Sequence, residues 1–216
     1  MLQFNIITIF PKILDSYYKE SILGRAQKNK LTKINYINLR DFTNDKHKSI
    51  DDSPYGGGAG MILKIEPIVR AIKSIKRKKK SKIVLLDPKG KTYNQKLAND
   101  FSKLDQIIFV NGYYEGIDSR VDKLVDEKIS IGKFILTNSE LATAMIIDSV
   151  SRLIPKVLGN SESLKYESHD NGLEYSQYTR PETFKYKNKN YKVPKVLLSG
   201  NHKEIGDWRK KNSKQK

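Results

Sequence analysis

Three stretches of the chain combine glycine with carboxylate, amide or hydroxyl side chains. They are Asp87-Pro88-Lys89-Gly90, Asn111-Gly112-Tyr113-Tyr114-Glu115-Gly116, and Ile131-Gly132 followed by Thr137-Asn138-Ser139. Glycine lets a ligand come close to the backbone and the polar groups supply donors and acceptors, so these stretches have the makings of a small-molecule pocket. None has the spacing of a dinucleotide-binding turn or a phosphate loop. Gly56-Gly57-Gly58-Ala59-Gly60 lacks the Lys-Ser/Thr that would follow a phosphate cradle, and reads as a flexible loop closing over a ligand. His47, His169 and His202 are scattered without metal-ligand spacing and read as surface or hydrogen-bonding groups. No metal site is expected. No Ser-His-Asp arrangement emerges, and the lack of cysteine removes disulfides, thiolate metal sites and cysteine nucleophiles.

For such turns to meet, each should follow a strand of one sheet, because open α/β sheets bind ligands outside the C-terminal strand ends. The pattern supplies the strands. Phe4–Phe10 is an apolar run stopped by Pro11, and Ile34–Leu39 alternates. Lys82–Leu86, Gln106–Asn111 and Lys133–Leu136 are three further strand candidates, each beside one of the turns. Between them, residues 12–30 read as helical with Ile13, Tyr17, Ile22 and Leu23 on a loose stripe, and Pro67–Ile75 reads as a helix running into Lys76-Arg77-Lys78-Lys79-Lys80. That basic run reads as a solvated helix end. Glu140–Ile154 is the strongest helix, with Ala144, Ile147, Val150 and Leu153 inward. Strands alternating with helices predict an α/β fold with a largely parallel sheet. Residues 1–158 form the expected main domain, 159–194 a polar linker without periodicity, and 195–216 a tail with room for one short helix. Trp208 reads as a packing residue rather than a base-stacking one.

The 216 residues suffice for one good-sized domain. Lys and Arg total 41 against 24 acids, a net charge of +17 that favours polyanions through counterion release. Only eight of the 41 are Arg, and Ile and Asn abound, so the codon bias of an AT-rich genome accounts for part of the excess. No apolar run reaches the roughly 20 residues of a membrane span, and no basic leader precedes Phe4. The cytoplasm is the expected compartment.

Nine blocks resemble, in order and spacing, the bacterial tRNA (guanine-N1-)-methyltransferases of the SPOUT class. They are Ile9-Phe10-Pro11, Gly24-Arg25-Ala26, Arg40-Asp41-Phe42, the segment from Asp51 to Met61, Gly112 to Asp118, Ser130-Ile131-Gly132, Ile147 to Pro155, Tyr178-Thr179-Arg180-Pro181, and Leu197 to His202. The resemblance implies a parallel sheet with a deep C-terminal trefoil knot, an exception to the rule against knots. It implies a homodimer with shared active sites, S-adenosylmethionine as methyl donor, and a tRNA carrying G37 as acceptor, with no role for DNA or a membrane. Mg2+ as an assisting ion is left open.

By position, the donor loops would be Leu85, Leu86, Asp87 and Pro88; Gly112, Tyr114 and Glu115; and Ser130, Ile131, Gly132, Lys133, Phe134, Ile135 and Leu136 with Ser139. Asp52, Tyr55, Gly57 and Gly58 would face the RNA. Guanine N1 is a poor nucleophile until its proton is lost, so the chemistry calls for a carboxylate base at N1 and a cation for the charge arriving at O6. The resemblance assigns the cation to Arg152 and the base to Glu167, with Asp170 the competing assignment. Several positions depart from the family's usual pattern: Asn138-Ser139 stand for two glycines, Tyr113 and Ser53 for basic residues, and the tail after Trp208 is short. A lower RNA affinity, or more reliance on the basic surface, is the expected result. Two other readings stay open at this point: a SPOUT enzyme for another RNA position, and an RNA-binding protein that has lost catalysis.

Overall fold

A computed structural model describes residues 1–159 and 175–213. Glu167 and Asp170 lie outside the described residues. The chain divides into two compact units, Met1–Gly159 and Asn160–Lys216.

The first unit is built on a five-stranded sheet in the order β2-β1-β6-β5-β7. Its strands are β1 (Leu2–Thr8), β2 (Thr32–Asn38), β5 (Ser81–Thr92), β6 (Gln106–Val110) and β7 (Glu127–Ser130), and every pairing is parallel. Two further strands, β3 (Asp51–Asp52) and β4 (Ile62–Leu63), form a small antiparallel pair. Alternation along the strands sorts the core into two layers. Phe4, Ile6, Val84, Leu86, Ile107 and Phe109 face α1 (Asp15–Lys19), α2 (Ser21–Lys28), α4 (Gln95–Ser102) and α5 (Glu140–Ser151). Ile7, Ile83, Leu85, Ile108 and Val110 face α3 (Ile65–Ser74) and the 3-10 turns at Leu39–Phe42 and Ser119–Leu124. Because both faces are covered, the central strands carry unbroken apolar runs, Ile83–Leu86 in β5 and Ile107–Val110 in β6, as buried parallel strands do.

Four expectations need correction. The third knot-region strand is Glu127–Ser130 and not Lys133–Leu136. This strand is the sheet edge, where Glu127 pairs with Lys82 and Lys128 with Asp87 and Asp122, so it tolerates charges that hide it from an apolar pattern. Phe134 and Ile135 are exposed loop residues instead. The Asp87–Gly90 turn does not end its strand: Leu86 and Lys91 both register with Ile129, and the residues between them bulge out before β5 resumes. Residues 12–30 form two helices broken at Ser21, with φ of 50° there, and Ile13 and Tyr17 point outward while Tyr18, Leu23 and Ala26 are buried. Lys76–Lys80 is not a helix end. The side chain of buried Gln106 pins it, accepting from the Lys78 N–H at 3.0 Å and donating to the Lys76 carbonyl at 3.3 Å.

The second unit contains an antiparallel hairpin, β8 (Thr183–Tyr186) and β9 (Lys189–Lys192), inside the segment read as linker. It also contains two helices where one was expected, α6 (Lys195–Leu198) and α7 (His202–Asn212). Trp208 packs edge-on against Tyr175 and Tyr178, and Arg209 lies over the Tyr175 ring.

Candidate active site

A cavity of about 340 Å3 opens beside the bulge of β5 and beyond the C-terminal ends of β6 and β7, within the size range of small-molecule sites. The three glycine-bearing turns converge there. From β5 come Leu86, Asp87 and Pro88; after β6 come Gly112, Tyr114 and Glu115; after β7 come Ser130, Ile131, Gly132, Phe134, Ile135 and Leu136, with Ser139 closing the wall. Two expected donor residues are not on that wall. Leu85 faces the opposite core layer, one pleat away from Leu86, and Lys133 is an exposed loop residue. Tyr113, Gly116, Thr137 and Asn138, from the stretches marked out in the sequence as pocket-forming, also line the cavity, and only Ile129 and Ala142 on its wall were not foreseen.

The walls are tied to one another. The Gly112 N–H donates to the Ser139 hydroxyl at 2.7 Å, and the Ser139 N–H returns a bond to the Gly112 carbonyl at 3.3 Å. That employs the Ser139 hydroxyl, so the first turn of α5 is capped by Asn138 instead, whose side-chain oxygen accepts from the Glu140 N–H. Ser130 holds Tyr93 through a backbone bond at 2.8 Å, which fastens β7 to the end of β5. Burial pushes the Asp87 carboxyl up, but the Lys89 N–H and the Lys128 ammonium more than offset this and hold it below the ordinary carboxylate range.

The glycine-rich loop is joined to the same wall. Glu115 donates its N–H to the Met61 carbonyl at 3.1 Å, Leu63 donates to Gly116 at 3.0 Å, and Asp118 donates to Leu63 at 3.1 Å. Gly60 has a φ of +78°, and a methyl group there would lie 2.5 Å from Cγ of Glu115, so glycine serves both the turn and the contact. Beyond this seam Tyr55 is fully exposed, Gly57 and Gly58 have positive φ with open space at Gly57, and Asp52 is exposed beside Lys64. Thus Asp52, Tyr55, Gly57 and Gly58 belong to a loop whose C-terminal end is hydrogen-bonded to the cavity's own backbone.

At the start of α5 lies a buried polar cluster that no pattern in the sequence marks. Glu140 accepts from the Thr8 hydroxyl at 2.6 Å, and Thr143 donates to the Asn111 side-chain oxygen at 2.6 Å. Oε2 of Glu140 and Nδ2 of Asn111 are left without partners. Burial pushes the Glu140 carboxyl up, with the Thr8 hydroxyl, its own backbone and the nearby Asn111 amide pulling the other way. A glutamate at the first position of an amphipathic helix ordinarily reads as exposed, and only the fold turns it inward.

Arg152 stands at the C-terminal end of α5, ten residues past Ala142, which is about 15 Å along the axis at ~1.5 Å per residue. It does not line the cavity of its own chain. Leu141, Met145, Asp148 and Arg152 follow at i, i+4, i+7 and i+11, one stripe of the helix, on which Leu141 and Met145 are 51% and 53% exposed. Tyr17 donates to Asp148 on that stripe, and its own hydroxyl is pushed up to about 12 by that bond, then by burial. Among the described residues no group of three or more His, Asp or Glu gathers to hold a metal ion.

Comparison with known proteins adds a family to this geometry. The family model described as tRNA (Guanine-1)-methyltransferase TrmD matches residues 2–216. The chain is 51% identical over 213 residues to the tRNA (guanine-N(1)-)-methyltransferase of Clostridium perfringens strain 13, covering 98% of this chain and 88% of that one. It is 49% identical to the protein of the same name from Clostridium botulinum strain Hall, covering 98% and 87%. Among solved structures, the tRNA (m1G37) methyltransferase from Aquifex aeolicus superimposes with a TM-score of 0.77 at 39% identity, over 96% of this chain and 87% of that chain.

Proposed function

The chain belongs to the tRNA (guanine-1)-methyltransferase family, and from that footing we propose that it transfers a methyl group from S-adenosylmethionine to N1 of guanosine 37 in tRNA. The cavity at the β5 bulge and the ends of β6 and β7 carries the proposal, because three separate turns converge to build it. Its walls fit the donor. Leu86, Ile129, Ile131, Leu136 and Ala142 offer an apolar slot for a purine, and the Glu115 carboxylate on the rim suits a cationic ligand. When bound, the donor supplies an electrophilic methyl group.

The protein's side chains do the rest. A carboxylate beside guanine N1 accepts its proton as the new bond forms, and Glu167 is assigned that role with Asp170 as the competing assignment. The guanidinium of Arg152 stabilises the charge that shifts to O6. Asp52, Tyr55, Gly57 and Gly58 meet the RNA from a loop joined by three backbone bonds to the donor wall, which links acceptor and donor positioning.

Two features of the family reading have support in the geometry. Arg152 shares an exposed apolar stripe with Leu141 and Met145 and stands away from its own chain's cavity. A homodimer that buries this stripe would bring Arg152 to the partner's cavity, so that each site is shared. The bulge at Asp87–Gly90 and the Ser139–Gly112 bonds draw the segment after β7 back against β6, a layout that suits a C-terminal trefoil knot. Among the described residues no helix is long and apolar enough to cross a membrane, and a tRNA substrate puts the enzyme in the cytoplasm.

The test is methyl transfer from labelled donor to a tRNA transcript with G37, beside a transcript with A37. Label on G37 alone is expected. Arg152→Ala should cost about a hundredfold or more in kcat, the scale of losing one charge-stabilising group. Glu167→Ala should abolish transfer, and full activity in that variant would move the base to Asp170. Label on both transcripts would refute the site of methylation.

A further inference from the structure

We infer that the β8–β9 hairpin is a stacking platform for unpaired RNA bases. This inference rests on the proposal that the substrate is tRNA. The ten residues Thr183–Lys192 hold three aromatics, four lysines and no acid. Register decides how they are presented. Phe184 lies opposite Tyr191, and Tyr186 opposite Lys189, so Phe184, Tyr186, Tyr191 and Lys189 share one face. Thr183, Lys185, Asn190 and Lys192 occupy the other. The two-residue turn Lys187-Asn188 has positive φ at both positions, 44° and 59°, which is the backbone that sets a tight hairpin and fixes this register.

The aromatic face is open. All three rings are more than half exposed, and every residue of both strands is exposed. Among the described residues nothing covers either face, and such a two-stranded hairpin is marginal in water, so three rings kept on one side of it call for an occupant. The chemistry selects one. Phe184 and Tyr186 lie nearly parallel, 11° apart with centroids at 6.3 Å, a stacked pair that a further planar ring can extend. Lys187 stands over the Tyr186 ring at 5.5 Å, and Lys189 borders the rings. Rings that accept bases of any sequence, interleaved with cations that meet phosphates, are the means by which single-stranded nucleic acid is held. An apolar protein partner would match the rings and leave four lysines without counter-charge. The unpaired nucleotides of the substrate tRNA supply both bases and phosphates.

The experiment uses the full chain with Tyr191→Phe, Tyr191→Leu and the double variant Phe184→Leu/Tyr191→Leu. Binding of end-labelled G37 transcript at fixed salt is measured beside KM and kcat for methyl transfer, donor affinity and oligomeric state. Leucine keeps the apolar volume and removes the stacking face. Tyr191→Leu should weaken tRNA binding and raise its KM about tenfold, with Tyr191→Phe near wild type and the double variant weaker still, the scale expected of base stacking. Donor affinity and oligomeric state should hold, and a blunt RNA duplex should bind wild type and variants alike. Unchanged tRNA binding in the double variant would overturn the inference. So would a loss of donor binding or of assembly in step with tRNA binding, because the rings would then be packing on protein. A wild type that binds tRNA through the hairpin without methylating G37 would overturn the enzyme reading and leave this one standing.

Discussion

At Gly90 the chain comes back to the sheet after its excursion, and an added methyl group would lie 2.5 Å from the Ile129 nitrogen and 2.6 Å from the Lys128 carbonyl carbon. Those are backbone atoms, which cannot swing aside as a side chain could. Gly90→Ala should therefore push β5 and β7 apart, destabilising the protein by about 1–3 kcal/mol as overpacked sites do, and lowering donor affinity because the β5 bulge and the end of β7 both line the cavity. Urea denaturation and donor titration would check the two effects. Glu140 carries a different prediction. Its folded-state carboxyl titrates above the ordinary 4.5, chiefly through burial, so the folded protein holds this proton more tightly than the unfolded chain. Its contribution is present below 4.5 and is lost as pH rises toward the raised folded value. Gln keeps an acceptor for Thr8 without the charge. The melting temperature of Glu140→Gln should rise relative to wild type as pH increases from about 4.5 to 7, whereas a pH-independent difference would show that the charge is not what burial penalises.

Among the elements, α5 does the most. Its inner face fills the core with Ile146, Ile147 and Val150, its N-terminal turn closes the cavity through Ser139 and Ala142, and its outer stripe carries Met145 and Arg152. Tyr17 braces that outer stripe from α1 as a neutral phenol donating to Asp148. A charge placed in the middle of the stripe tests whether it is a subunit seam. Met145→Glu should leave the secondary structure intact, shift sedimentation from dimer to monomer, and remove methyl transfer with donor binding retained in part. A monomeric wild type would end the shared-site proposal directly.

For the whole molecule the relevant quantity is charge. A net +17 on 216 residues implies that tRNA binding releases counterions, and the slope of log affinity against log salt measures how many phosphates are met. With four or more contacts the slope should be steeper than about −3. A shallow slope would mean that the lysines reflect genome composition more than function. The pinned loop Lys76–Lys80 and the hairpin lysines are two places from which the contacts could come, and charge reversal in each would apportion them.

The apolar runs of β1 and β6, the inward face of α5 and the turns beside the strand ends could be read directly, since a buried parallel strand must be apolar and a ligand-facing turn favours glycine. The family, too, was legible, because its motifs are local strings such as Gly112 to Asp118 and Ile147 to Pro155. What tertiary structure decided are matters of partner and register. Strand β7 is polar because it sits at an edge and pairs charge with charge, so no pattern in its own four residues marks it. Phe134 and Ile135 look like core and are loop, since apolarity serves a cavity or a seam as well as an interior. Glu140 is buried where α5 packs on the sheet, and Thr8, 132 residues away at the end of β1, meets it there. Phe184, Tyr186 and Tyr191 become one face only once a two-residue turn sets the pairing of β8 with β9. Sequence determines what each short segment can be, and long-range packing determines which side of it faces what.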